Sequence, residues 1–251
     1  MTATLLEVRS VTEQDTLYRF FCPELASRAR PGQFVEVLVS DGTDPFLRRP
    51  ISIFDCDGRA EFSLLVRTVG RGTELMTRWT AGAEVDVLGP LGHGFTWAEA
   101  DDVCTLVAGG VGVATMGYLA RALLDAGKRV RLLFSPLRQA RLLEVFPCGD
   151  RVEMICAGSR AELPAALEKA LTGASRCFSC GPEGMLESVA RLSAAAGVPC
   201  QISMERRMAC GIGLCLGCAV AVRAEGRLVY RKACKDGPVF AAEEVAFHEF
   251  P

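Results

Sequence analysis

The sequence predicts a multi-domain β + α/β protein: an antiparallel β-barrel over residues 1–98, a parallel-sheet α/β domain over 99–200, and a small cysteine-rich module over 201–251. Three observations predict it. Up to residue 98 the chain consists of short β-branched and aromatic runs separated by glycine, proline and aspartate. Beyond residue 100, apolar strand-like runs alternate with helical stretches, which is the pattern of a parallel sheet covered on both faces. From about residue 200 no sizeable helix recurs, and the segment is too small to hold a core without a staple.

Taken in order, the barrel strands are TLYRFFC (16–22), GQFVEVLVS (32–40), PISIFDC (50–56), AEFSLLVRTVG (60–70) and AEVDVLG (83–89), interrupted by one helix-like piece, GTELMTRW (72–79). In the α/β part, DVCTLVAGG (102–110), RVRLLFSP (129–136), RVEMICAG (151–158) and RCFSCGP (176–182) read as buried strands. The helices are VGVATMGYLARALLDAG (111–127), RQARLLEVF (138–146), AELPAALEKAL (161–171) and EGMLESVARLSAAAG (183–197). Two short strand-like runs complete the last module.

Composition excludes several functions. A formal net charge of −2 gives no electrostatic footprint for nucleic acid or an anionic membrane. MTATLLEVRSVTEQ lacks the basic start and apolar run of a signal peptide, and CTLVAGGVGVATMGYLA is glycine-broken and short for a membrane span. The expectation is a soluble, cytoplasmic protein. Twelve cysteines in such a chain do not read as a secreted disulfide framework. Cys22, Cys56, Cys104, Cys148, Cys156 and Cys200 lie mostly in apolar runs and read as small core residues. The clustered cysteines point to metal or redox use.

Two glycine-rich turns lie on the carboxyl edge of the expected parallel sheet, where nucleotides bind. VAGGVGVA, with Gly109, Gly110 and Gly112, would bring backbone amides to a pyrophosphate at a helix amino terminus, or would serve as a tight packing turn. CGPEGML, with Cys180 and Gly181, is the second. RLLFSPLRQ supplies no acidic residue to hold a ribose; Arg138 and Arg141 would meet a 2′-phosphate or face solvent, so NAD and NADP stay open. In the barrel, RRPISI (48–53) joins a basic residue, a rigid proline and an alternating strand, and VRTVGRGTELM places Gly72 and Thr73 at a helix start, a phosphate site when an arginine is near.

A barrel with R-P-x-S and G-x-G-T, followed by a domain with G-G-x-G and C-G-P, resembles the ferredoxin reductase family. The resemblance implies FAD on the barrel and NAD(H) brought against it by the next domain. It implies that Arg49, with Pro50 and Ile51 beside it, holds the flavin pyrophosphate and that Ser52 sits near the flavin's reactive nitrogen. Leu65, Val66 and Arg67 would line the adenosine side, Gly72 and Thr73 would cap its phosphates, and Cys180 would approach the nicotinamide. Ile51 departs from the family, many of whose members stack a tyrosine there. His93, in GPLGHGF, and His248 are the only histidines, and no general base is evident.

MERRMACGIGLCLGCAVAV (204–222) spaces Cys210, Cys215 and Cys218 as in a plant-type two-iron, two-sulfur cluster, and Cys234 in RKACKDGPVF is the candidate fourth ligand. A four-thiolate zinc site usually shows two C-x2-C knuckles, and this region has one, so the spacing favours 2Fe-2S. Cys177-x2-Cys180 lies on a strand and reads as one core and one site cysteine. With E-R-x-M-A-C-G-x-G-x-C-L-G-C and C-x-D-G-P-V-F, the whole chain resembles the electron-transfer subunits of NAD-dependent dihydroorotate dehydrogenases. A related reductase subunit has aspartate where Cys210 stands. The resemblance implies an oxidoreductase of pyrimidine biosynthesis that passes electrons between NAD(H), FAD and 2Fe-2S. It further implies a partner, an FMN-containing dihydroorotate dehydrogenase catalytic subunit, in a heterotetramer. Leu214 and Leu216 would pack on that partner or face inward. The alternative is a stand-alone reductase for a ferredoxin or an oxygenase.

Overall fold

The computed structural model describes residues 1–135, 140–159 and 161–249. Six strands, β1 (Thr2–Ser10), β2 (Asp15–Phe21), β3 (Phe34–Val37), β4 (Arg49–Cys56), β5 (Glu61–Arg67) and β6 (Glu84–Leu91), close a barrel in the order β1-β2-β5-β4-β3-β6. Every pairing around the ring is antiparallel. Leu5, Tyr18, Phe20, Ile53, Phe62 and Leu64 fill its interior. Two short helices, α1 (Pro23–Ala26) and α2 (Arg71–Met76), sit at its ends. Strand β1 is absent from the sequence expectation because adjacent Leu5 and Leu6 break the period of two; a bulge between Leu5 and Glu7 absorbs the extra residue, burying Leu5 and exposing Leu6.

The second sheet uses β7 (Val103–Gly109), β8 (Arg129–Ser135), β9 (Glu153–Cys156), β10 (Arg176–Cys180) and β11 (Cys200–Ser203) in parallel, with helices α3 (Val113–Asp125), α4 (Leu163–Leu171) and α5 (Glu183–Ala195). Strand β7 is buried along its whole length, as a central strand covered on both faces must be. In place of the expected helix RQARLLEVF, a 3-10 helix spans Ala140–Val145, cut short by the proline that follows Phe146; Arg138 and Gln139 lie outside the described residues. After the hairpin β12 (Ala219–Ala224) and β13 (Arg227–Lys232), strand β14 (Val239–Ala241) returns antiparallel to β11. The division at residue 200 therefore falls inside a sheet strand, and the cysteine-rich segment is sewn into the sheet that precedes it.

Helix α3 joins the sheet to the barrel. Arg121 donates twice to Asp55, at 2.6 Å and 2.6 Å, and the Tyr118 hydroxyl donates to the Ala29 carbonyl at 3.1 Å. At Gly117 the helix backbone lies directly on β4, where a Cβ would come within 2.5 Å of the Phe54 carbonyl oxygen and 2.7 Å of its ring. Among the described residues no helix is long and apolar enough to cross a membrane. Replacing Gly117 by alanine should force α3 off the barrel and lower stability by about 1–3 kcal/mol, read by urea unfolding.

Candidate functional site

A cleft of about 370 Å³ opens where barrel, sheet and cysteine-rich segment meet, within the size range of small-molecule sites. The barrel contributes Phe34, Arg49, Pro50, Ile51, Ser52, Leu65, Val66, Arg67, Val69 and Thr73. Val111, Ala114 and Thr115 come from the turn and helix after β7, and Ser203, Met204, Glu205, Arg206, Met208 and Pro238 from the last segment. Phe34, Thr115 and Ser203–Met208 had no site role in the sequence reading. For Glu205, Arg206 and Met208 a signal existed, in the motif around the cysteines.

Arg49 is shaped for an anion. Its Nη1 donates to the carbonyls of Leu47 (2.6 Å) and Arg48 (3.2 Å), which fixes the guanidinium against α2. Gly72 makes room for it: a Cβ there would strike Arg49 Nε and lie 2.7 Å from Cζ. Among the described residues Arg49 has no ion-pair partner, whereas Arg67 is held by buried Asp15 at 2.8 Å and 3.1 Å and Arg48 by Asp86 at 2.7 Å. The Thr73 hydroxyl accepts from the amides of Val69 (2.9 Å) and Gly70 (3.2 Å) and so closes the turn that leads into α2.

On the sheet side the two glycine turns pack on each other. A Cβ at Gly112 would strike the Cys180 carbonyl, and one at Gly109 would lie 2.7 Å from the Met185 sulfur and 2.8 Å from Pro182. Gly110 takes a left-handed φ of 59°. The packing holds Cys180 behind the cleft, where its thiol faces Glu205 Oε1 at 3.8 Å. Burial, aided by Glu205, pushes that thiol up to about 12, so it stays neutral. Burial also raises Glu205, against the Cys180 contact and Arg67. Thr115 donates to the Ser52 hydroxyl at 3.3 Å, joining the two walls. The ring of His93 is exposed, and its amide donates to the Gly237 carbonyl at 2.6 Å, placing Pro238 in the cleft. Of the two arginines considered for a 2′-phosphate, Arg141 reaches Glu144 at 3.8 Å on the surface, and Arg138 lies outside the described residues.

The four clustered cysteines meet beyond Met208. Cys218 Sγ and Cys234 Sγ are 3.2 Å apart, and the Cys215 amide donates to Cys210 Sγ at 3.4 Å. The thiol of Cys210 is lowered to about 6 by the amides of Cys215, Ile212 and Leu214. Cys234 is raised to about 12 by burial and by its neighbour Cys218, while the Gly213 amide pulls it down. Among the described residues no three side chains surround a single metal ion. Four thiols drawn together with amides donating to the sulfurs, at the spacing of a plant-type cluster, are a donor set for 2Fe-2S. The residues present therefore fit a 2Fe-2S cluster.

Residues 205–246 match the model of the iron–sulfur cluster binding domain of dihydroorotate dehydrogenase B. The dihydroorotate dehydrogenase B (NAD(+)) electron transfer subunit of Desulforamulus reducens is 32% identical, with 98% of this chain and 97% of that protein aligned. The chain belongs to this family. The subunit of the same description from Caldanaerobacter subterraneus is 34% identical over 98% of each chain. Among solved structures, NADH-dependent reduced ferredoxin-NADP oxidoreductase superposes with a TM-score of 0.84 at 27% identity, covering 98% of this chain and 90% of that one. Phthalate dioxygenase reductase, at 17% identity and a TM-score of 0.63 over 96% and 95% of the chains, shares the fold. The architecture is that of the ferredoxin reductases with a carboxyl-terminal iron–sulfur module.

In protein stripped of iron, Cys210 should be about nine-tenths thiolate at pH 7, from its value of about 6. Iodoacetamide should modify it ahead of buried Cys234, with a rate that levels off above pH 7 where an ordinary thiol's still climbs. Mass-spectrometric peptide mapping across pH 5–9 checks this.

Proposed function

We propose that this chain is the electron-transfer subunit of an NAD-dependent dihydroorotate dehydrogenase, carrying electrons between NAD(H), FAD and a 2Fe-2S cluster and an FMN-containing catalytic subunit. The observation that carries the reading is the double use of Ser203–Met208. That segment is a wall of the cleft and also the lead into Cys210, so the expected flavin wall and cluster loop are neighbours in one chain.

FAD held here would supply the conversion between hydride and single-electron transfer, and a 2Fe-2S cluster would carry the single electrons. The residues supply position. Arg49, preset against Gly72, meets the pyrophosphate, and Thr73 fixes the turn beside it. Ile51 would offer an apolar face to the flavin, and Ser52, joined to Thr115, would offer it a hydroxyl. Leu65, Val66 and Arg67 line the adenosine side. Gly109, Gly110 and Gly112, packed on Cys180 and Gly181, shape the NAD side, and the neutral Cys180 thiol and Glu205 stand behind it. Cys210, Cys215, Cys218 and Cys234 would hold the cluster through their four thiolates. Hydride transfer between two cofactors needs no protein base.

Exit of electrons needs a partner near the cluster. Leu214 is 80% exposed and Leu216 is 69% exposed, flanking exposed Cys215, and such apolar side chains suit burial by the catalytic subunit. Dimerisation of that subunit gives the heterotetramer. Twelve cysteines without a disulfide suit a reducing compartment, the cytoplasm. The likeness to a ferredoxin-NADP oxidoreductase favours a second reading, a reductase acting without this partner. Co-expression with the neighbouring FMN protein separates the two: a stable complex with dihydroorotate-dependent NAD reduction supports the first, and a chain that stays alone supports the second.

Protein purified without oxygen should contain FAD, two irons and two sulfides per chain; zinc in their place contradicts the reading. Cys234→Ser should lose the cluster and acceptor reduction while NADH still bleaches the flavin. Arg49→Met should do the reverse, weakening FAD binding by about 1.4–2.8 kcal/mol, roughly tenfold to a hundredfold, read by flavin fluorescence on dilution.

A further inference from the structure

On strand β3, Val35 and Val37 enter the barrel core, so Phe34 and Glu36 point outward. Their partners across the ladder are Ser52 and Pro50, both in the cleft wall. Glu36 is 1% exposed, and neither of its carboxyl oxygens has a hydrogen-bond partner. The nearby arginines give its carboxyl no hydrogen bond: Arg48 grips Asp86 and reaches only the Glu36 main-chain carbonyl, and Arg49 lies on Gly72. What covers Glu36 is the cluster loop. A Cβ on Gly211 would strike Oε1 and lie 2.5 Å from Cγ and 2.7 Å from Cδ, so the carboxyl occupies the space that a side chain after Cys210 would need. Gly211 also has a φ of 66°, the left-handed form that glycine adopts without strain. A buried carboxyl with two idle acceptors is costly and wants an explanation outside the protein's own hydrogen bonds.

We propose that Glu36 is a positioning residue for the iron–sulfur centre: it seats the first turn of the cluster loop on the flavin wall and holds the centre's reduction potential down. The inference rests on the cluster assignment made above. The loop's own amides, that of Cys215 donating to Cys210 Sγ at 3.4 Å and that of Cys234 to Cys218 Sγ at 3.5 Å, favour added negative charge on the sulfurs. Donors of that kind raise a cluster's potential. Acceptor oxygens fixed against Gly211, the residue after Cys210, have the opposite effect in a site of low dielectric. The barrel thus opposes the field that the loop creates, and does so from a strand that also walls the cleft.

Glu36→Gln tests this because it keeps shape and burial while turning one acceptor into an N–H donor. The variant should retain the iron, sulfide and FAD of the unaltered protein. In an EPR-monitored redox titration its cluster should be about tenfold more reduced at a given potential, an upward shift of about 59 mV for one electron. Glu36→Ala, lacking both oxygens, should shift in the same direction with a broadened signal. An intact cluster at an unchanged potential in both variants overturns the proposal, as does loss of the cluster in Glu36→Gln with FAD retained. Absence of iron and sulfide from the unaltered protein would instead overturn the cluster assignment.

Discussion

The outer face of the paired strands β3 and β4 is the constraint on which the rest of the molecule depends. One short stretch of barrel wall has to be covered by two neighbours without being closed. Helix α3 approaches from one side so tightly that position 117 admits only glycine beside the Phe54 carbonyl. From the other side the segment around Met204 and Pro238 is held by backbone bonds, Met204 N to Pro238 O at 2.9 Å and His93 N to Gly237 O at 2.6 Å. The cleft is the gap that remains. Each of its walls is pinned outside the gap.

Charge is distributed to the same end. Arg67, Arg121 and Arg176 are each tied to a carboxylate within about 3 Å, at Asp15, Asp55 and Asp101, so their charge serves the scaffold. Arg49 is held by carbonyls alone and keeps its charge for an anion. Around the cysteines, the Cys215 amide donates to Cys210 Sγ at 3.4 Å and the Cys234 amide to Cys218 Sγ at 3.5 Å, and the buried Glu36 carboxyl lies against Gly211 next to Cys210. A relay needs such fixed fields more than it needs acid–base groups, because the cofactors do the chemistry and the protein sets distance and potential.

The parts legible in the sequence were those whose chemistry is local. Four cysteines at fixed spacing, R-P-x-S on a strand start and glycines at turns are visible within a few residues, and the structure draws the cysteines together and puts Arg49–Ser52 in the cleft wall. The alternation of strand and helix beyond residue 100 was legible for the same reason. What escaped depends on contacts distant in sequence. Strand β1 was hidden by a bulge at Leu5, and β11 and β14 are too short to show a period. Thr115 acquires its place only by meeting Ser52, 63 residues away. Glu36 reads as one polar residue in an alternating strand until the loop around Gly211 folds over it. The glycines at 109 and 112 were legible as a close approach, and the structure identifies the close partner as the Cys180 turn.

If a single chain holds both centres on one wall, electrons must pass between them without any encounter between molecules. The direct measurement is anaerobic stopped-flow mixing of the holoprotein with NADH, following flavin bleaching and cluster bleaching separately over a tenfold range of protein concentration. The account predicts a cluster phase that follows the flavin phase at a rate independent of protein concentration. A cluster phase whose rate rises in proportion to protein concentration would contradict it.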